Sequence, residues 1–261
     1  SFVSHNIIDT INLSLNHFEM SNFSPWLSKI NSSLKGTLNG DILVVSDSLN
    51  NKFYSDIITS SLKLNDSDFG ALNISSEYDN IKDIQLIQGQ SIKDNKKAIE
   101  FRGIYNSLVD SNNMNVLFNI NDFNLNHINT YLPFLDPLNG FVNGNLNIYG
   151  NMNKPKFEGE FIAEEVYLTV PYLNVDFKTI GESKIHLNND IIEFNNFAFQ
   201  SVNEGSSFGN GTLSGKLKHH YFSDFNLDLN LEIDSILCLN TDVYNENTYF
   251  GKVISSGNVE F

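Results

Sequence analysis

Residues Gly140–Gly159 read GFVNGNLNIYGNMNKPKFEG. Val142, Leu146 and Ile148 fall at alternate positions along an extended chain, and Asn143, Asn145 and Asn147 fall between them. One apolar and one wet face at a period of two is the pattern of a half-buried β-strand. Glycines at 140, 144 and 150 punctuate it, and Asn153-Lys154-Pro155 marks a turn before the next strand. The glycines and Pro155 read as turn positions between successive strands.

The same unit recurs outward from this stretch. Gly36-Thr37-Leu38-Asn39-Gly40 matches Gly140-Phe141-Val142-Asn143-Gly144, and Gly211-Thr212-Leu213-Ser214-Gly215 matches both, with a weaker echo at Gly251–Gly257. Upstream, Leu15-Asn16-His17-Phe18 returns as Leu125-Asn126-His127-Ile128, and Phe23-Ser24-Pro25-Trp26-Leu27 returns as Tyr131-Leu132-Pro133-Phe134-Leu135. Three blocks in the same order predict two copies, 1–124 and 125–261. Each copy reads as a strand, a short amphipathic helix and a glycine-marked strand. Ser24-Pro25 supplies a helix start, with Trp26, Ile30 and Leu34 on one face. Elsewhere the alternation predicts strands throughout, including Leu173-Val175-Phe177, Ile185-Leu187, Ile192-Phe194, Phe197-Phe199 and, most cleanly, Phe225–Asp234. Near Glu164-Glu165 the apolar phase flips, which predicts a turn or bulge. Roughly 16–20 strands with hardly any helix describe an all-β chain, and the repeat favours an elongated sheet over a closed barrel. Such a sheet must stack, roll up or fold lengthwise to hide its apolar face.

Charge narrows the function. The formal net charge is −15, from 31 acidic and 16 basic residues, and Arg102 is the only arginine. That excludes nucleic acid as a partner, because binding it needs clustered cations. It also disfavours adhesion to anionic headgroups. The single Cys238 can form no internal disulfide and is expected to pack in a strand. No apolar run reaches the roughly 20 residues of a membrane helix. A start at Ser1 and an end within the strand-like GNVEF suggest a piece of a longer protein.

Motifs of catalysis dissolve on inspection. Gly205-Ser206-Ser207-Phe208-Gly209 has GxSxG spacing, but it lies between strands, and a nucleophile elbow needs a following helix. His219-His220 would point to opposite faces of a strand. Asp66–Gly70 lacks the ligands of a calcium loop and reads as an Asx turn. The expectation is a protein that is not an enzyme, with no cofactor and no metal.

The run G-x-V-N-G-x-L-x-I-x-G at Gly140–Gly150, with Pro155 and the F-E-G of Phe157–Gly159 after it, resembles the translocation and assembly module TamB family of AsmA-like envelope-spanning proteins. Tyr131–Leu135, Phe208–Gly215 and Tyr249–Val253 extend the resemblance, which is densest over Leu125–Phe261 and places the piece just upstream of the family's C-terminal conserved region. It implies a U-shaped, gutter-like sheet with a hydrophobic inner groove. It also implies a periplasmic location in a Gram-negative bacterium with an inner-membrane anchor, phospholipid moved between the membranes, and an Omp85-type outer-membrane barrel met through a region outside this stretch. Alternation and resemblance together nominate a lane for acyl chains: Val142, Leu146, Ile148, Phe161, Leu173, Val175, Phe177, Ile185 and Leu187, then Leu213, Leu217, Phe225, Leu227, Leu229, Leu231 and Ile233. Two outcomes stand beside it. The gutter closes on its own side chains, or the sheet is a scaffold for outer-membrane protein assembly and carries no lipid.

Overall fold

The computed structural model describes residues 9–23, 33–46, 51–64, 67–79, 81–106, 108–132, 135–152, 154–220, 223–241 and 250–260. The helix expected from Ser24 to Leu34 therefore lies almost wholly outside the described residues. What is described is all-β: β1 (Asp9–Glu19), β2 (Leu34–Lys35), β3 (Thr37–Ser46), β4 (Asn51–Thr59), β5 (Lys63–Leu64), β6 (Ser67–Asp68), β7 (Ala71–Asp79), β8 (Ile84–Lys93), β9 (Lys96–Tyr105), β10 (Met114–Asn124), β11 (Leu138–Asn151), β12 (Lys154–Val170), β13 (Val175–Thr179), β14 (Ser183–Asn188), β15 (Ile191–Asn203), β16 (Ser206–His220), β17 (Ser223–Thr241) and β18 (Gly251–Glu260). Two 3-10 turns, Met20–Phe23 and Leu125–Tyr131, are the helical pieces among the described residues.

Fifteen strands form one large antiparallel sheet in the order β1-β3-β4-β7-β8-β9-β10-β11-β12-β13-β15-β16-β17-β18, with β14 beside β13 between β12 and β15. The order follows the chain, each strand of the path lying beside the next one in sequence apart from the small-sheet strands and β14. Three connections are two-residue hairpins at Asp94-Asn95, Asn189-Asp190 and Glu204-Gly205, whose first residues all adopt positive φ. Asn, Asp and Gly tolerate that conformation, and such turns match the twist of the flanking strands. The small β2-β5-β6 sheet stands apart. Next to it Asp68 accepts the Gly70 N–H at 2.9 Å, so an Asx turn is present here. That bond holds the Asp68 carboxyl below its usual range.

The glycine blocks are not turns. Gly140, Gly144 and Gly150 all lie inside the single strand β11, and Gly40, Gly215 and Gly257 lie inside β3, β16 and β18. They answer bulges in the preceding strand. His17, Asp122, Asn196 and Ser235 have positive φ, and in three of the four the register shows one extra residue. Each bulge takes a main-chain N–H out of the strand ladder. The residue before the glycine supplies the acceptor: Asn39 Oδ1 for His17 at 2.9 Å, Asn143 Oδ1 for Asp122 at 2.8 Å, Ser214 Oγ for Asn196 at 3.3 Å and Ser256 Oγ for Ser235 at 2.8 Å. The repeated Asn/Ser-Gly pair is a bulge clamp. Glu165 also has positive φ, and the Val166 N–H beside it bonds Thr179 Oγ1 at 3.0 Å. The phase flip expected at Glu164-Glu165 is located there.

The chain divides into two compact units, Ser1–Asn121 with Leu146–Lys156, and Asp122–Asn145 with Phe157–Phe261. The second copy of the LNHF block does not repeat its structure. Leu15–Phe18 lies in β1, but Leu125–Ile128 forms the 3-10 turn, with Asn124 accepting the Asn126 N–H at 3.0 Å. By clamp and bulge, His17 corresponds to Asp122, so the matched letters run a few residues out of step with the matched structure.

Candidate functional site

Cross-strand pairs share a face of the sheet, so the registers show what each face carries. In the first unit one row runs Leu13, Ile42, Ser55, Ser76, Ile87, Gly103, Val116 across seven strands. The adjacent row runs Leu15, Gly40, Ile57, Ile74, Gly89, Phe101, Phe118. The opposite face carries Ser14, Asp41, Asp56, Ser75, Gln88 and Arg102. The apolar face is incompletely covered: Ile11 is 55% and Leu13 49% exposed, and the wall residues Ile57, Ile74, Ile87, Phe101 and Phe118 are half-buried.

The second unit repeats the design. Its rows are Gly159, Leu187, Ile192, Leu217, Leu227, then Phe161, Ile185, Phe194, Gly215, Leu229, then Phe197, Leu213, Leu231, Val259. The reverse face is Glu193, Lys216 and Asp228, or Thr212 and Glu232. Glycines let aromatic rings lie flat on the lane floor. A Cβ at Gly211 would meet the Phe199 ring at 2.6 Å, and one at Gly89 the Phe101 ring at 2.4 Å. Phe177 stacks edge-on against Phe199 at 5.8 Å, and Phe194 against Phe197 at 6.1 Å.

Cover is uneven along this second lane. Leu125, Ile128, Leu132 and Leu135 pack down on Leu138, Val142, Ala163 and Val166, with Phe161, Ile185 and Phe197 alongside. The segment is pinned to β12, where Asp136 N–H bonds Thr169 O and Thr169 N–H bonds Pro137 O, at 3.1 and 3.0 Å. One end is also sealed. Beyond the Ser235 bulge, Ile236 and Leu237 are buried; Ser201 Oγ accepts the Leu237 N–H and donates to Phe208 O, both at 2.9 Å, and Asn240 N–H reaches Leu173 O. At the start of β17, which has no β18 partner, the lane opens, with Leu227 50% exposed and Phe225 also exposed.

The nominated residues sort accordingly. Val142, Val175 and Leu187 are buried in the wall, Val175 to 1% exposure. Phe161 and Ile185 lie under the cover. Phe177, Leu213, Leu217, Leu229, Leu231 and Ile233 are half-buried, as are Leu146 and Ile148 in the first unit. Leu173, expected in a strand, sits in the Pro171–Asn174 turn, because Asn174 takes positive φ and starts the return strand at Val175. Sequence reasoning nominated no lane residue from the first half and passed over Ile192, Phe194, Phe197 and Phe199, whose alternation is broken by the Asn196 bulge.

Among the described residues, polar side chains do not converge on a site. Ser207 pairs with Val202 in a strand ladder, so the GxSxG spacing builds no elbow. His219 is buried, and burial lowers its pKa. Among the described residues no group of three or more His, Cys, Asp or Glu side chains could hold a metal ion. No helix among them is long and apolar enough to cross a membrane. On the polar face, Tyr167 donates to Asp176 at 2.5 Å, which raises the tyrosine pKa to about 12.

A sheet patterned this way from end to end agrees with one family comparison. The family model "TamB, N-terminal domain" matches residues 8–162. The chain belongs to the TamB family. The match falls mainly on the first half, whereas the glycine-and-proline resemblance is densest in the second and pointed toward the C-terminal conserved region. TamB family proteins are transport and assembly proteins of the cell envelope. Comparisons with curated proteins and with solved structures returned no match.

Proposed function

We propose that each unit of this TamB family chain holds phospholipid acyl chains on its apolar face while the headgroups stay in water, as part of a periplasm-spanning protein that passes lipid between the inner and outer membranes and supports outer-membrane protein assembly with an Omp85-type barrel. The observation that carries this reading is the row Leu217–Leu227 with Leu213–Leu231 beside it. Large aliphatic side chains stand side by side there, half-buried to exposed, with charged residues confined to the reverse face. Such continuous apolar surface is rare in a monomer without an occupant. An acyl chain laid on it gains about 0.8 kcal/mol per methylene removed from water.

The test is photocrosslinking in cells. A diazirine side chain at Leu229 or Leu213 is expected to capture phospholipid, and one at Asp228 or Thr212 on the reverse face is not. Capture at neither set, or equally at both, sinks the lipid reading. The scaffold reading would then gain ground. It draws on β18, the last strand of the sheet among the described residues, which is exposed along nearly its whole length.

A further inference from the structure

The polar face of the first unit is not uniform. A trough of about 1280 Å3 opens on it, lined by residues of β3, β4, β7, β8, β9, β10 and β11. Within it the β4–β7 ladder stops at Ser55–Ser76. Beyond that point Gln85 of β8 reaches across and bonds both main-chain groups of Phe53, at 2.9 and 2.6 Å. The strands part and leave a notch with a side-chain floor. Leu43, Tyr54, Leu86 and Ile104 line it, the last two exposed although they face away from the apolar lane.

Its charge is unbalanced. Asp41 and Asp56 are directly opposed cross-strand partners, an arrangement that repels, and Glu77 lies at the same rim. None of the three forms an ion pair among the described residues. Asn147, also in the wall, has a buried amide oxygen that accepts no hydrogen bond. Arg102, which likewise makes no ion pair, stands three strands from Asp56 along the row through Ser75 and Gln88, roughly 14 Å away at the usual strand spacing.

We propose that this trough is a docking site for an extended peptide segment of a partner protein, basic where it crosses Asp41, Asp56 and Glu77, with apolar side chains at alternate positions seated on Leu43, Tyr54, Leu86 and Ile104. An extended chain sends every second side chain to one side, which fits an apolar stripe with a charged rim. Lysines over the acidic rim relieve the Asp41–Asp56 repulsion, and Arg102 takes an acidic residue further along. The site lies on the face opposite the lane and does not depend on the lipid reading.

The test uses the full 261-residue chain and a fluorescein-labelled, acetylated peptide of sequence Lys-Val-Lys-Val-Lys-Val-Ser-Val-Glu-Val, read by anisotropy. The isosteric pair Asp41→Asn and Asp56→Asn is expected to weaken binding about tenfold or more, whereas Asp228→Asn with Glu232→Gln in the second unit changes it less than about twofold. Ile104→Thr is expected to weaken it about fivefold. Equal weakening by the two charge-neutralised pairs means general attraction to an acidic protein and overturns the proposal. So does no binding to the unaltered chain, or a rim that takes calcium ions but not the peptide.

Discussion

Gln85→Ala tests the notch from its floor. Gln85 is only 6% exposed. Its Oε1 accepts the Phe53 N–H, and its Nε2 donates to Phe53 O and Ser76 Oγ, so a side-chain amide stands in for one peptide of a missing strand. Alanine leaves the Phe53 N–H unpaired and leaves Phe53 O only the long 3.5 Å bond from Ser76 Oγ. A buried polar group without a partner costs about 1–3 kcal/mol, so the lost N–H bond and the weakened carbonyl together give about 2–5 kcal/mol. Water can enter from the trough side, so a value near the lower half, about 3 kcal/mol, is expected. Hydrogen exchange at the Phe53 amide is the direct assay, because the loss is local to β4 and β8. A drop of about 3 kcal/mol in opening free energy speeds exchange about a hundredfold. Gln85→Leu keeps the volume and loses the bonds, so it should behave like alanine. Gln88→Ala, on the other face of the same strand, should leave Phe53 unchanged. Exchange at Phe53 that rises less than about threefold in Gln85→Ala would refute the claim that this amide replaces a strand.

Two further outcomes follow from other parts of the sheet. Gly215 has φ +128° and a Cβ there would lie 2.3 Å from Asp228 O, whereas the nearest atom at Gly211 is the movable tip of the Phe199 ring. Gly215→Ala should therefore cost about 3 kcal/mol or more and Gly211→Ala about 1–2 kcal/mol in urea unfolding followed by circular dichroism; equal losses would contradict the account. The Tyr167 hydroxyl is held by Asp176, with its pKa raised from 10.0 to about 12. The folded state keeps this proton more tightly than the unfolded chain does. The contribution is therefore complete below pH 10 and lost as pH rises toward 12. Against Tyr167→Phe, the native chain should lose stability more steeply across that window, and parallel curves would count against the bond.

Strand content was legible because alternation is written residue by residue: Phe225, Leu227, Leu229, Leu231 and Ile233 needed no context. The face they share was legible too. What the reading missed were features set by contacts between strands. A glycine next to Asn or Ser carries the same letters in a turn and in a bulge clamp, and only the paired His17 or Asp122 N–H distinguishes them. Phe194 and Phe197 are three apart, so counting in twos splits β15 in half at Asn196. The covering segment had a signal that went unused. Leu125, Ile128, Leu132 and Leu135 follow a helical spacing of three and four, but the repeat alignment had already assigned Leu125–Ile128 to a strand. How far each lane residue is covered depends on that segment and on the far half of β17, neither of which alternation can locate.

The bulges bear on how such a chain can change length. From Phe194 to Phe197 the strand takes three steps while its partner, from Gly215 to Leu213, takes two, yet both phenylalanines face the lane. Removing Asn196 would restore equal steps without turning either ring around. A one-residue deletion in β15 before Phe194 or just after Phe197 would invert the side chains between it and this bulge or the strand end. Single-codon insertions and deletions among this chain's descendants should thus collect at His17, Asn196 and Ser235, where the reading frame of the sheet already absorbs an odd residue.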